Sequence, residues 1–176
     1  MKYCSTCRGP LALSIPVGDD RPRHVCSECG EIHYINPKLI AGCLPIWSGS
    51  ILMCRRAIQP RKGYWTIPAG FMEMKETVCE AAMREAREEA GIEVELQAPY
   101  TMLSLPDYSQ VHVYYLARMK TGDYCAGEES LEVRLFQQSE IPWDDIAFET
   151  VRQTLMYYFE DLKTGGFPFR HQAVRV

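Results

Sequence analysis

The chain of 176 residues has no long apolar run: its longest nearly apolar stretch, Leu39 to Trp47, falls far short of the roughly 18 residues that a membrane-spanning helix needs. The opening Met1-Lys2-Tyr3-Cys4-Ser5-Thr6-Cys7 has no apolar centre of the kind a secretion signal carries. Basic charge is not in excess either, with 19 Lys and Arg against 23 Asp and Glu and a formal net charge of −4. That balance argues against a grip on duplex nucleic acid or an anionic membrane, both of which favour a strongly basic face, but excludes nothing small and anionic. There is no internal repeat, no low-complexity tract, and no serine or lone reactive cysteine set for a triad. These absences lead us to expect a soluble, cytoplasmic protein with neither a membrane nor a nucleic-acid partner. A composition of 47% apolar and 24% charged residues suits one globular domain plus a small module.

Cysteine is plentiful, with eight in the chain. Cys4-Ser5-Thr6-Cys7 and Cys26-Ser27-Glu28-Cys29 are two Cys-x-x-Cys knuckles separated by the 18 residues Arg8 to Val25, a spacing suited to one zinc ion held by four thiolates. Gly9 and Gly30 follow them closely and let each knuckle turn its two sulfurs toward one ion. Between the knuckles lie Pro10, Pro16, Gly18, Asp19, Asp20 and Pro22, turn chemistry around short apolar pieces, so Zn²⁺ must supply much of the folding free energy there. We read residues 1–34 as a zinc ribbon. Four thiolates leave no open position for water, which makes its zinc structural. Cys43, Cys54, Cys79 and Cys125 stand alone and read as small buried thiols.

Asn36-Pro37 marks a boundary, and residues 35–176 read as a second domain. Lys38 to Trp47 and Ser50 to Arg56 read as strands joined by a tight turn, followed by a short strand at Tyr64 to Gly70. Further strands are expected near Glu93 to Leu96, Met102 to Leu105, Val111 to Met119 and Leu131 to Gln137. Thr77 to Ala90 reads as a helix, with a capping box in Thr77 and Glu80 and a stop at Gly91. Ile146, Val151, Leu155, Tyr158, Phe159 and Leu162 give helical spacing up to Gly165-Gly166. This order predicts an α/β fold, a mixed β-sheet sandwiched between α-helices.

Glu85, Glu88 and Glu89 stand at i, i+3 and i+4 in the last turns of the first helix, where they repel one another and oppose the helix dipole. A helix selected only for stability would avoid them. A hard divalent cation such as Mg²⁺ or Mn²⁺ would reverse both penalties, because it takes carboxylate oxygens together with water and phosphate. Taken by themselves, the charges read first as a solvated face in which Arg84 pairs with Glu88.

The wider spacing goes further. Gly70, five residues, Glu76, seven residues, Arg84-Glu85, two residues, Glu88-Glu89, one residue, Gly91, with Ala86 and Ile92 at the apolar positions, resembles the signature box of the Nudix hydrolases. A four-cysteine ribbon directly before such a domain resembles the subgroup that includes NADH diphosphatases and plant chloroplast FAD diphosphatases. The closer likeness is to the plant enzymes, through Ile58-Gln59-Pro60, Trp65 to Gly70, Gly127 to Phe136 and Tyr158 to Lys163.

The resemblance implies a Nudix fold and Mg²⁺- or Mn²⁺-dependent hydrolysis of a nucleoside diphosphate linked to another moiety. It implies Glu85 and Glu89 as principal metal ligands, Glu88 as a further ligand or water partner, and the Ala69 carbonyl as a backbone ligand. Arg84 would orient the glutamates and Glu76 would brace the loop. Glu129, in a loop that often brings one more carboxylate in this family, is nominated as ligand or general base, with Glu128 and Glu132 as neighbours that could substitute. For substrate contacts, Arg55, Trp65, Phe71 and Gln110 are singled out from a wider set that includes Arg56, Tyr64, Tyr108, His112 and Tyr114. The resemblance also implies a homodimer and a small nucleotide substrate. Ser104-Leu105-Pro106-Asp107-Tyr108-Ser109-Gln110 shares little with the corresponding NADH diphosphatase segment, so FAD or ADP-ribose is expected ahead of NAD(H), free or as an RNA cap. The reading from another class is a Nudix domain that binds a nucleotide without hydrolysing it and acts as a regulator.

Overall fold

The computed structural model describes residues 1–175, which fall into two compact units, Met1–Asn36 and the described residues from Pro37 onward. In the first, β1 (Leu11–Ser14), β2 (Arg23–Cys26) and β3 (Ile32–His33) form an antiparallel sheet in that order. Its apolar side chains do not make a core: Leu13, Ile15 and Val17 are exposed, and only Cys4, Gly9 and Cys26 are buried.

The second unit is built on strands β4 (Lys38–Trp47), β5 (Ser50–Arg56), β6 (Trp65–Thr66), β7 (Ala69–Phe71), β8 (Val94–Leu105), β9 (Gln110–Met119), β10 (Ser130–Phe136) and β11 (Arg170–Ala173), with helices α1 (Val78–Ala90) and α2 (Glu149–Thr164). The main sheet runs β10-β5-β4-β9-β8-β11. It is mixed, with β4 parallel to β9 and β11 parallel to β8.

Alternation along the strands sends side chains to two faces, and each face takes one helix. Val113, Tyr115 and Ala117 of β9 pack with Ala81, Ala82, Ala86 and Ala90 of α1. Tyr114 and Leu116 pack with Val151, Leu155, Tyr158 and Phe159 of α2. The sandwich expected from the strand-helix order is the one formed. On α1, Thr77 is the N-cap: its Oγ1 accepts from the Glu80 amide at 3.2 Å, and the Glu80 carboxylate accepts from the Thr77 amide at 2.7 Å.

The feature that builds the site is a splayed hairpin. β4 and β5 pair only at Ile46↔Ile51 and Trp47↔Ser50. Beyond that β6 takes β5 as its partner (Cys54↔Thr66) and β7 takes β4 (Gly42↔Ala69). The segment from Trp65 to Phe71 is thus wedged into the sheet, and Ala69 and Gly70 are held by backbone pairing.

Several expectations change. Cys79 and Cys125, read as buried thiols, are exposed, and the short strand expected at Tyr64 to Gly70 is two, β6 and β7, which pair with different strands. The two strands near Glu93 and Met102 are one, β8, because Pro99 disturbs the ladder by register shifts on either side without ending the strand. Ile146 lies before α2, in a bridge to Trp65. β11 was not expected, since Arg170-His171-Gln172-Ala173 has no apolar alternation; it is held by pairing with β8 and by an ion pair.

In that ion pair, buried Asp161 of α2 accepts from Arg170 at 2.5 and 2.6 Å and from the Tyr100 hydroxyl at 2.6 Å. Arg170 holds the Asp161 carboxyl below its usual 3.8. Arg170→Ala strands this carboxylate and should cost on the order of 2 kcal/mol in urea unfolding. Because the folded pKa is depressed, the stabilisation is complete above pH 3.8 and is lost as the pH falls further. The gap between variant and parent should therefore close in acid.

Candidate metal centres and active-site cavity

In the first unit the two knuckles fold alike: the Arg8 amide donates to the Cys4 carbonyl and the Gly30 amide to the Cys26 carbonyl, both at 3.0 Å. The left-handed residue is Gly30 in the second knuckle, at φ 74°, but Arg8 rather than Gly9 in the first, at φ 65°. Gly9 serves the site by leaving room, since a Cβ there would lie 3.1 Å from the Cys26 sulfur.

The four sulfurs all lie within 4.8 Å of one another. Separations of 3.8 Å for Cys4–Cys29 and 3.4 Å for Cys7–Cys26 and Cys7–Cys29 are close to the roughly 3.8 Å edge of a tetrahedron with 2.3 Å Zn–S bonds. They are far too long for disulfides. Backbone amides also aim at the sulfurs, Thr6 at Cys4 and Gly9 at Cys7, each at 3.4 Å. The Cys7 amide, with His33 and others, brings the Cys4 thiol down to about 5. Cys7 is eased down by the Gly9 amide, yet the neighbouring sulfurs of Cys29 and Cys26 push it up to about 12. Thiols packed this closely cannot all ionise without a cation, and Zn²⁺ fits both the geometry and the charge.

In the second unit, α1 carries Glu85 and Glu89 inward, both buried, while the Glu88 side chain is 59% exposed. Gly70 packs so closely on Glu85 that a Cβ would fall 2.2 Å from its Oε1. Arg84 uses its whole guanidinium here. It donates to Glu85 at 2.6 Å, to Glu88 at 3.0 Å, to Glu76 at 2.8 and 3.1 Å and to the Phe71 carbonyl at 3.1 Å.

Glu89 takes instead the Ala69 amide at 3.3 Å. The ladder between β4 and β7, with Cys43 donating to Pro68 and Met72 to Leu39, turns the amide and carbonyl of Ala69 together away from β4 and toward α1. Burial, then the Glu85 charge, pushes the Glu89 carboxyl up to about 8. Burial also raises Glu85 despite its bond to Arg84. Two adjacent buried carboxyls that share so little positive charge fit a divalent cation.

The loop before β10 completes the group. Its Cys125 and Gly127 amides donate to the Ala90 and Glu89 carbonyls at 3.0 and 3.1 Å, satisfying the end of α1. That docking brings the Glu129 charge within reach of Glu85 and Glu89, with Glu128 on the same cavity lining.

All of this opens on a cavity of about 1110 Å³. Glu85, Glu88, Glu89, Arg84, Ala69, Glu129, Phe71 and Gln110 line it together. Arg55 and Trp65 are placed elsewhere. Arg55 donates to the Gly63 carbonyl at 2.9 Å and faces Glu132 at 3.8 Å, while Trp65 sits edge-on to Phe136 in the core with centroids 4.8 Å apart. The neighbouring Arg56 lines the cavity, its guanidinium 5.0 Å from the Phe148 ring centre. The bulge on β10 between Ser130 and Glu132, opposite these arginines, is absent from any sequence pattern. Thr150 of α2, hydrogen-bonded to His112, likewise has no sequence signal that marks it.

Residues 36–159 match the NUDIX domain family and residues 2–35 the family described as Nudix N-terminal. An ADP-ribose pyrophosphatase of Methanocaldococcus jannaschii is 27% identical over 113 residues, covering 62% of this chain and 67% of its own. An NAD-capped RNA hydrolase NudC of Salmonella heidelberg is 30% identical over 145 residues, covering 80% of this chain and 53% of its own. The chain thus spans about two thirds of the first relative and half of the second. A NUDIX hydrolase structure from Nitrosomonas europaea is 46% identical with a TM-score of 0.97, covering 100% of both chains.

Metal analysis should find one zinc per chain with Zn–S bonds of about 2.3 Å in X-ray absorption. Cys29→Ser should weaken retention of that zinc against a chelator, and a metal-free protein with a bond within either knuckle would defeat the assignment.

Proposed function

The chain belongs to the Nudix hydrolase family, and from that premise we propose that it hydrolyses the diphosphate of an adenosine diphosphate linked to a second moiety, ADP-ribose or FAD. The products would be AMP with ribose 5-phosphate or FMN. The observation that carries this reading is the pair of buried carboxyls, Glu85 and Glu89, set against the sheet-free carbonyl of Ala69 at the floor of a cavity of dinucleotide size.

Hydrolases of this family use Mg²⁺ or Mn²⁺. Glu85, Glu89 and the Ala69 carbonyl would hold the ion, with Glu88 as a further ligand or water partner and Glu129 as ligand or general base. Bound there, it would neutralise phosphate charge and supply a water of lowered pKa. The chain's own contribution is placement. Arg84, saturated by three glutamates and a carbonyl, locks Glu85 and Glu88 in position. Arg56, with Nε on the Pro60 carbonyl at 2.9 Å, keeps terminal N–H groups available for phosphate oxygens at the cavity wall.

NAD(H), free or as an RNA cap, is the second reading, favoured by the NudC relative. Residues Tyr108 and Gln110, in the segment that departs from the NADH diphosphatases, line the cavity wall, and this supports ADP-ribose or FAD first. The acidic triad and its Arg84 brace speak against a regulator without activity. Assembly as a homodimer is part of the proposal.

A panel of ADP-ribose, FAD, NADH, NAD and CoA with Mg²⁺ or Mn²⁺, scored by AMP release, tests the reading; turnover of none would overturn it. Glu85→Gln or Glu89→Gln should lower kcat by about two to three orders of magnitude with the fold intact. Near wild-type rates for both at saturating Mg²⁺ would remove the metal assignment. Gly70→Ala, which must displace the Glu85 carboxylate, should lower kcat well before it lowers thermal stability.

A further inference from the structure

One hydrogen-bonded chain in the cavity wall is not used by the hydrolytic reading. Gln110, His112 and Tyr114 alternate along β9, and the buried His112 ring sits between its neighbours. Its Nδ1 is 3.0 Å from Thr150 Oγ1 and 3.2 Å from the Tyr114 hydroxyl, and those two oxygens are 3.4 Å apart. Its Nε2 is 3.1 Å from Gln110 Oε1.

The hydrogens in this chain can be counted. Tyr114 and Thr150 are 1% and 0% exposed, and among the described residues their hydroxyls have no other hydrogen-bond partner. Nδ1 and the two hydroxyls form a triangle in which each edge can carry one hydrogen. If Nδ1 bore a hydrogen it could accept none. The edge between the oxygens would then serve one hydroxyl, and the other would be left without a protein partner at almost no exposure, a costly state. With a bare Nδ1, Thr150 donates to Nδ1 and Tyr114 to Thr150, and every hydrogen is placed.

The hydrogen of His112 is therefore on Nε2, and it must meet an acceptor. Gln110 has to present its carbonyl oxygen, so its NH₂ group turns away from the ring. That NH₂ has no protein partner among the described residues, and Gln110 lines the cavity. Burial brings the His112 pKa down to about 4, in keeping with a neutral ring. Two exposed aromatic rings line the same cavity, Tyr108 and Phe71. They offer flat apolar faces for a planar ring, while Gln110 offers an oriented pair of donors.

We propose that Gln110 reads the substrate's heterocycle by donating its NH₂ to a ring nitrogen of adenine, and that His112 is the positioning residue that dictates this orientation of the amide. The inference rests on the adenosine diphosphate reading above and deepens it: the wall selects a ring with an acceptor edge, because a donor edge would leave both the amide hydrogens and its own hydrogens unpaired.

Steady-state kinetics with whichever of ADP-ribose or FAD turns over faster test it, using wild type, Gln110→Leu, Gln110→Glu, His112→Phe and the double variant His112→Phe with Gln110→Leu. Gln110→Glu keeps an acceptor for His112 Nε2 but removes the donors, so it separates reading the ring from bracing the wall. Both Gln110 variants should raise KM about tenfold with kcat changed less than about twofold. His112→Phe should raise KM in the wild-type background and add little once Gln110 is leucine. Of substrates with adenine N1, N3 or N7 replaced by C–H, one should show the same KM rise on wild type and lose that penalty on Gln110→Leu. Wild-type KM for both Gln110 variants, or unchanged KM for all three analogues, overturns the inference while leaving the proposed function standing. A wild type that hydrolyses no member of the nucleotide panel overturns the proposed function and this inference with it. Should His112→Phe fail to fold, the Gln110 variants and the analogues decide alone.

Discussion

The second unit is arranged around the burial of negative charge. Glu85 and Glu89 lie inward at the end of a helix whose dipole opposes them, and the Arg84 guanidinium that Glu85 shares with Glu76 and Glu88 makes no hydrogen bond to Glu89. Carboxylates in such a place remain ionised only if something positive joins them. The splayed β4–β5 hairpin, the wedge of Trp65 to Phe71, the bare Cα of Gly70 and the loop that caps α1 with Cys125 and Gly127 all serve to bring groups up to those two side chains. Alanines at four buried positions let α1 lie close on the sheet. The helix is thus held by packing on one side while its other side carries charge that costs stability.

The first unit solves a different problem with the same physics. It is too short to bury an apolar core, and its Leu13, Ile15 and Val17 face outward. Its interior is instead two cysteines of a sulfur tetrad, ringed by amide N–H groups that favour thiolates. Sulfur–metal bonds stand where hydrophobic contacts would stand in a larger domain.

Between the carboxylates and the far end of the cavity, the wall is polar in a directed way. In the chain from Tyr114 through Thr150 and His112 to Gln110, every arrangement of hydrogens that pairs both hydroxyls leaves the His112 hydrogen on Nε2. An amide at the cavity edge thereby acquires, through His112, a direction that its own torsional preferences would not impose. On the proposed function, this is where the wall would distinguish one planar ring from another, whereas the carboxylate floor would meet only the diphosphate that all the candidate substrates share.

Local chemistry was legible in the sequence. Cys-x-x-Cys spacing, the capping box of Thr77 and Glu80, the stop at Gly91, the alternation of β9 and the repeat of glutamates around Arg84 depend on residues a few positions apart, and the chain cannot place them otherwise. The mixed sheet between two helices followed from the order of those elements. What only the tertiary structure decided were matters of partnership at long range. Pro99 bends β8 without ending it because β9 holds the ladder on both sides, and β11 exists because Asp161 and the edge of β8 receive it. Arg56 rather than Arg55 faces the cavity beside a bulge on β10. The direction of the Gln110 amide depends on Thr150, 40 residues further along the chain. The physical reason is common to all four: a hydrogen bond or ion pair between distant segments leaves no periodicity in either segment, so it can be seen only where the fold has brought the two together.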